Sequence, residues 1–552
     1  MKKYILLTIL LINMFVQAQE SITNQIKKSS LLDYKKKHLE LDLVDSNDDF
    51  TVIVKYLNLN NPYSSTKKYT IEVFNNDLKL INTKNLKTKK YISELIVKND
   101  SIFLFENSLR KSLKTENQKK VIDKVSLMAY VSSINKLDFK IKPHYEIKSN
   151  DLFFDFKKMS FSSPIQTEII ISNNKEYELT LFTQKCEAPI RAGSQNFDFI
   201  ESDFKTSEEK TYSQVYRFIL RKKDHLLYTK NVIINHGSGW PNFYRLRIND
   251  INGDIMFLET EQLEPTKFFN FKNYRLYTKS IIRVNKNNTL RKNIGAFFNN
   301  KYLGALDINF HKNYIYLTGL YASDEKQKKY EGFAKAKIDV NNLNLKNTNL
   351  LPFSQEFHLD RLNTKKANIL NVRSSINSKD FENKYDNIYT DKVFFDEDDN
   401  CIINMNEYYY GINSQYKKTH TFAITAKISN DNKLLWSRAI YIGGRKFSKQ
   451  TNSFTSYYSN NKNFILFNQK ESYLKFIYNK NDNRSIDNNQ TLPFVAIINN
   501  NGDLNFSNLS TSTKTDYLFE SAKRTDNQLF FYNRNSKKGE LNMINFKQKD
   551  TL

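Results

Sequence analysis

Glycine and proline are scarce in this 552-residue chain, at 13 and 8, which excludes collagen-like and Pro/Gly-rich low-complexity architectures. Turns must therefore be made by other residues. With two cysteines, Cys186 and Cys401, no disulfide framework is possible and at most one bridge can form. Both are expected to stay unpaired. The 7 histidines are scattered, without an i, i+4 pair or an HExxH motif, so no metal site is expected. Neither G-x-G-x-x-G nor a P-loop occurs, and no cofactor is expected. Beyond the first eighteen residues, no stretch approaches the run of apolar residues a bilayer span needs.

What is abundant points to strands. Hydrophobic residues make up 39% of the chain and aromatics 14%, with 41 Phe and 33 Tyr, ample for a core and biased toward β-structure. The net charge of +25 accompanies heavy use of Lys, Asn, Ile, Phe and Tyr, the residues of AT-rich codons. Codon bias alone raises Lys over a whole surface. A basic surface favours anionic glycans, lipopolysaccharide or nucleic acid without specificity, and no nucleic-acid motif accompanies it. The N-terminus has Lys2 and Lys3, an apolar run from Tyr4 to Val16, and Val16-Gln17-Ala18 at the −3 to −1 positions. That pattern predicts a signal peptide over 1–18, cleaved after Ala18, and an exported chain, periplasmic or extracellular, without a transmembrane segment in its mature form.

A repeat runs along the rest, 19–552. Its unit is a strand, a tight polar turn and a second strand rich in Phe, Ile and Leu, and it occurs eight times. The turns are Asp45 to Asp49, Lys98 to Asp100, Asn173 to Lys175, Asn249 to Asp254, His311 to Asn313, Asp396 to Asn400, Ser459 to Asn463 and Arg524 to Asn527. They are dense in Asn and Asp, which tolerate left-handed backbone and can replace glycine. A second hairpin follows all but the last, turning near Asn76, Asn135, Lys223, Lys286, Asn341, Asn430 and Asn500. The spacing of about 71 residues per unit suits a propeller blade with enlarged loops. The fold expected is a single all-β propeller of four-stranded antiparallel blades, eight by count and seven as the alternative. The eighth unit lacks a fourth strand, and an N-terminal strand near 30–37 is expected to supply it.

The stretches GFAKAKID (from Gly332), FAITAKISNDNKLLWSRAI (from Phe422) and PFVAIINNNGDLNF (from Pro493) resemble the outer hairpins of bacterial secreted β-propeller repeat proteins, including the quinoprotein-like type. The resemblance covers most of the chain at the level of a hairpin. It implies a fold and brings no catalytic residue. The family's turn glycine stands here only at Gly502 and its tryptophan only at Trp436. Ser429, Asp431 and Trp436 echo the Asp-box hairpin of sialidase-like propellers, with Lys433 in the place of glycine.

Three glutamates, Glu106, Glu259 and Glu407, each follow a second strand, and carboxylates at equivalent places could gather at one end of the blades. In an up-and-down blade the first-to-second and third-to-fourth turns lie at one end. The second-to-third connections and the blade-to-blade links lie at the other. The latter set is long: Asn107 to Lys124, Thr183 to Thr211, Glu259 to Asn273, Asn406 to Thr419, Asn468 to Thr491, and a polar link from about Lys346 to Asp391. Connections longer than geometry requires are where binding residues sit. Ligand contacts are expected from Glu106, Glu259, Glu407, Tyr409 and Tyr473, with Arg110, Lys111 and Lys114 supplying positive charge. The expectation is a noncatalytic binding or scaffold protein of the bacterial envelope, its partner an envelope protein or anionic glycan. The alternative is a glycan-active hydrolase or lyase.

Overall fold

In the computed structural model, the residues described are 26–28, 43–56, 66–116, 119–136, 140–148, 166–186, 198–201, 212–223, 225–236, 242–262, 266–268, 271–273, 276–299, 301–323, 330–371, 387–410, 418–442, 454–470, 474, 491–509, 516–525, 528–535 and 538–545. They form eight four-stranded antiparallel blades of a β-propeller. The chain clusters into two compact units, one containing blades 1, 6, 7 and 8 and the other blades 2 to 5.

Blade 1 is Leu43–Ser46, Phe50–Tyr56, Lys67–Asn75 and Leu80–Thr88; blade 2 is Tyr91–Lys98, Ser101–Glu116, Lys119–Asn135 and Ile141–Lys148. Blade 3 is Gln166–Ile171, Tyr177–Cys186, Tyr212–Lys222 and His225–His236, and Asp198–Glu201 adds a parallel strand to its outer edge. Blade 4 is Asn242–Ile248, Ile255–Gln262, Leu276–Val284 and Thr289–Asn293; blade 5 is Tyr302–His311, Tyr314–Ala322, Gly332–Asp339 and Leu345–Pro352. Blade 6 is Asn387–Phe395, Cys401–Tyr410, Lys418–Ile428 and Leu434–Tyr441; blade 7 is Phe454–Ser459, Lys462–Lys470, Thr491–Ile498 and Leu504–Asn508. Blade 8 is Asp516–Arg524, Gln528–Asn535 and Lys538–Asn545, and its fourth strand is Ile26–Lys28, paired antiparallel with Ile26 opposite Ile544. The stretch 30–37 lies outside the described residues, as do 1–18 with Ala18.

All fifteen turns read from the sequence fall between paired strands. Asn and Asp make them through side-chain acceptors: Asn75, Asn249, Asp396 and Asn499 each take the amide two residues on. The left-handed position falls on Lys175, Lys312, Leu343, Asp399 or Asn432 as readily as on Gly253 or Gly502. Leu78 and Leu343 carry that strain, about 1 kcal/mol or more, because their side chains are fully buried in return.

Second strands read as unbroken apolar runs because both their faces are covered. In blade 7, Ile465 and Phe467 pack with Ile402, Ala423 and Trp436 of blade 6, while Phe464 and Leu466 pack with Phe519, Leu529 and Phe531 of blade 8. Blade 4 does the same, sending Met256 and Leu258 to blade 5 and Ile255 and Phe257 to blade 3. Period-two alternation thus assigns successive residues to opposite neighbours. Each buried Phe, Ile or Leu contributes about 1.5–3 kcal/mol.

The polar link expected at 346–391 contains the fourth strand of blade 5 and then a helix, α1, at Gln355–Asn371. Ser354 caps it, its hydroxyl accepting from the Phe357 amide at 3.3 Å, and Glu356 stands in the positive first turn. The helix turns Phe357 and Asp360 inward while Leu359 and Leu362 are exposed. Over the side chains described, 355–363, the hydrophobic periodicity is therefore inverted, so pattern reading could not find the helix.

Candidate functional site

The three glutamates lie within second strands rather than after them, in blades 2, 4 and 6, because those strands run on into what the sequence suggested were loops. All three are buried, at 5%, 1% and 2% exposure. Each meets a base of its own unit. Glu106 is 3.3 Å from the Lys90 ammonium and accepts from Ser132 Oγ at 3.2 Å. Arg291 Nε donates to Glu259 at 2.8 Å. Arg361, from α1, grips Glu407 with Nη1 at 2.8 Å and Nη2 at 3.3 Å, its guanidinium stacked over the Phe422 ring. Burial, and then the negative charge of Glu259, pushes the Tyr216 hydroxyl well above its ordinary range. These carboxylates thus act as anchors for a lysine, an arginine and a helix.

Helix α1 has a second anchor beside the first. Asp360 receives Arg438 Nε and Nη2, both at 2.8 Å, and the Ala439 amide at 3.1 Å. Burial nonetheless outweighs Arg438 and holds this carboxyl above its usual range. Ser354 and Ser437 exchange hydroxyl and backbone bonds at the start of the helix.

Arg110, Lys111 and Lys114 are paired opposite Ser126, Val125 and Val121, and Tyr409 opposite Thr419; Tyr473 lies outside the described residues. The loop expected from Asn107 to Lys124 is corrected: among the described residues it is β-ladder, paired as far as Glu116 opposite Lys119. Backbone pairing continues there because Leu, Val and Ile alternate with Lys and Arg, a pattern that a loop does not require.

Sequence reasoning placed the first strands but named no site candidate on them. Within each unit, first strands of successive blades lie beside one another, and five of the eight are interrupted by β-bulges, at Ser93, Arg245, Ala305, Asp391 and before Lys523. A bulge re-aims the side chains around it. In one unit, Asp391 accepts from Arg524 Nη2 at 2.6 Å and Ser456 Oγ at 2.9 Å, joining blades 6, 7 and 8. In the other, Asp307 faces Arg245 at 3.5 Å and Arg247 at 3.4 Å across blades 4 and 5, with Arg245 itself in the left-handed region. No residue type announces a bulge, so only the paired register exposes these groups.

At the opposite ends of the blades, Asp396 accepts the Asp398 and Asn400 amides and lies 2.6 Å from Lys427, both side chains 2% exposed. Burial alone would raise its carboxyl; Lys427 and Asn400 outweigh that and hold it below the usual range. Ser429 bonds Asp431 and takes the Lys433 amide at 2.8 Å, so the Asp-box-like residues build a hairpin turn. Trp436 Nε1 donates to Asn500 O at 3.1 Å in the next blade. Gly502 explains its own survival: φ is +87°, and a Cβ there would lie 2.6 Å from Trp436 Cβ. Cys401 is buried and forms no disulfide, while the Cys186 side chain lies outside the described residues. Among the described residues, no group of three or more His, Cys, Asp or Glu could hold a metal, and no helix is long and apolar enough to cross a membrane.

No protein-family model matches the chain. It is 25% identical over 301 residues to the CRISPR-associated endoribonuclease Cas13a of Leptotrichia shahii, 54% of this chain but only 18% of that protein's length. Among solved structures, the Dos1 propeller aligns over 95% of this chain and 96% of its own, at 8% identity and a TM-score of 0.38. An uncharacterized protein from Listeria monocytogenes EGD-e aligns over 82% and 93%, at 10% identity and a TM-score of 0.30. The Pyrococcus horikoshii acylaminoacyl peptidase covers 79% of this chain and has 58% of its own length matched, at 10% identity and a TM-score of 0.29. At these levels none of them assigns a family or an activity.

Proposed function

We propose that this is an exported, noncatalytic binding or scaffold protein of the bacterial envelope, whose ligand surface is formed by the long connections between second and third strands. The observation that carries this reading is the asymmetry of the blades. The fifteen tight turns leave one end of the sheets, whereas long connections leave the other, including the extended hairpin of blade 2 and the parallel strand Asp198–Glu201. The N-terminal leader pattern supports export. The glycan-active alternative has less support, because Glu259 and Glu407 are both buried and engaged by guanidinium groups.

The test compares the two ends. In one variant residues 475–488 are replaced by a short Gly-Ser link, which leaves Leu474 in its core. In another, Asn430 and Asp431 are replaced in the tight turn. Binding to purified envelope glycans and outer-membrane fractions is then measured at equal folded content. Loss confined to the first variant supports the proposal; loss confined to the second moves the working surface to the turn ends and overturns it.

A further inference from the structure

Within the connection ends, one element has a chemistry of its own. The flanking strands of blade 2 stop early: Tyr91 is opposite Asn107 at one edge, and Lys148 is opposite Met128 at the other. The central hairpin continues alone, Leu109 to Glu116 pairing with Lys119 to Leu127, and among the described residues no further strand joins this four-stranded sheet. Nine residues of strand reach about 30 Å past the blade.

The sequence of this ribbon is distinctive in charge and in order. Residues 108–127 hold six Lys or Arg against two Asp or Glu. At the chain's average, twenty residues would carry a net charge of only about +1, so codon bias does not account for it. Opposed residues of an antiparallel pair share a face. The register puts the positions of Leu109 and Leu127, Lys111 and Val125, Leu113 and Ile122, and Thr115 and Lys120 on one face. It puts Arg110 and Ser126, Ser112 and Lys124, Lys114 and Val121, and Glu116 and Lys119 on the other. A bulge at Asp123 makes this sorting possible: Ser112 pairs with Lys124 and Leu113 with Ile122, so Ile122 returns to the face of Val125. Without that extra residue, the apolar series of the third strand would cross to the basic face.

We propose that this ribbon docks on an anionic lipid surface, its basic positions meeting headgroups and its apolar positions entering the acyl boundary. The inference rests on the reading of the connection ends as the binding side. A soluble polyanion would be satisfied by the charges alone; the five apolar positions collected on one face fit a lipid boundary and give a polyanion nothing. Each Lys or Arg at such a surface strengthens binding about fivefold.

The experiment uses the mature chain and sedimentation with phosphatidylglycerol vesicles, and with phosphatidylcholine vesicles for comparison. Binding to the anionic vesicles alone is expected. R110Q/K114Q/K119Q/K124Q should weaken it by at least about 100-fold. L109S/L113S should abolish the part that survives high salt. In an otherwise unchanged chain, the emission of L113W should shift to the blue on vesicles, which keeps the proposal testable if the charge variant folds poorly. Undiminished binding after Ser108 to Leu127 is replaced by Asn-Gly would overturn the proposal. So would heparin binding that matches vesicle binding and is indifferent to L109S/L113S. Retention of envelope glycan binding by a chain that ignores the vesicles would sink this inference alone and leave the binding role in place.

Discussion

The two ends of each blade are built on different physical terms. At the turn ends the connections are short, and polar groups close on one another, as in the Asp396–Lys427 pair and the Ser429 turn. At the connection ends, buried carboxylates do a different job, and Glu407 and Asp360 clamp a helix. The half-buried Asp198 holds the added strand of blade 3 by accepting from Thr289 at 2.6 Å and pairing with Lys230 at 2.9 Å. The Glu407, Asp360 and Asp198 carboxylates thus attach elements added to the four-stranded blades, α1 and the strand Asp198–Glu201.

Substitutions can break that comparison. The largest effect is expected at Asp396→Ala, which strands Lys427 in a buried site and removes the acceptor of two turn amides. A loss of about 3–5 kcal/mol, read by denaturant unfolding, is expected. The sign with pH follows from the lowered carboxyl. Its stabilisation is complete above the ordinary value of 3.8 and is lost as pH falls through the lower folded value, so the variant and the parent should converge in acid.

Next comes Gly502→Val, which combines a left-handed backbone with a clash against the fixed Cβ of Trp436. About 2–4 kcal/mol should be lost, together with the Trp436 to Asn500 bond, visible as a change in tryptophan emission. At the connection end, Glu407→Gln should act locally instead. It should raise hydrogen exchange over Gln355–Asn371 by an order of magnitude or more, while global stability falls by only about 1–2 kcal/mol. Global unfolding equal to that of Asp396→Ala would mean that α1 is part of the cooperative core and would dissolve the contrast.

The smallest effect sharpens the account of the turns. Lys312 sits exposed at φ +53°, so Lys312→Gly should stabilise by up to about 1 kcal/mol. Leu343→Gly at φ +55° should destabilise instead, because its buried side chain outweighs the backbone relief.

The blade count, the turns and the second strands were legible because each is a local signal: Asn and Asp at fixed offsets, and apolar runs of strand length. The helix α1 was not, since its inward residues are Phe357, Asp360 and Arg361 and its leucines at 359 and 362 face out. The positions of Glu106, Glu259 and Glu407 in the blades were legible to within a few residues, but their partners Lys90, Arg291 and Arg361 were not, because nothing in a sequence says which lysine or arginine is brought beside a carboxylate.

A repeated four-stranded unit, the places of its turns and the alternation that sends side chains to opposite neighbours can all be read from composition and order, because each is set by residues close together along the chain. Tertiary structure alone decided which buried charges meet, where Asp391 and Arg245 are re-aimed by bulges, why Gly502 must be glycine, and that the hairpin of blade 2 outruns its neighbours. Each of these depends on register and on atoms supplied from dozens of residues away, and a strand's composition carries no record of either.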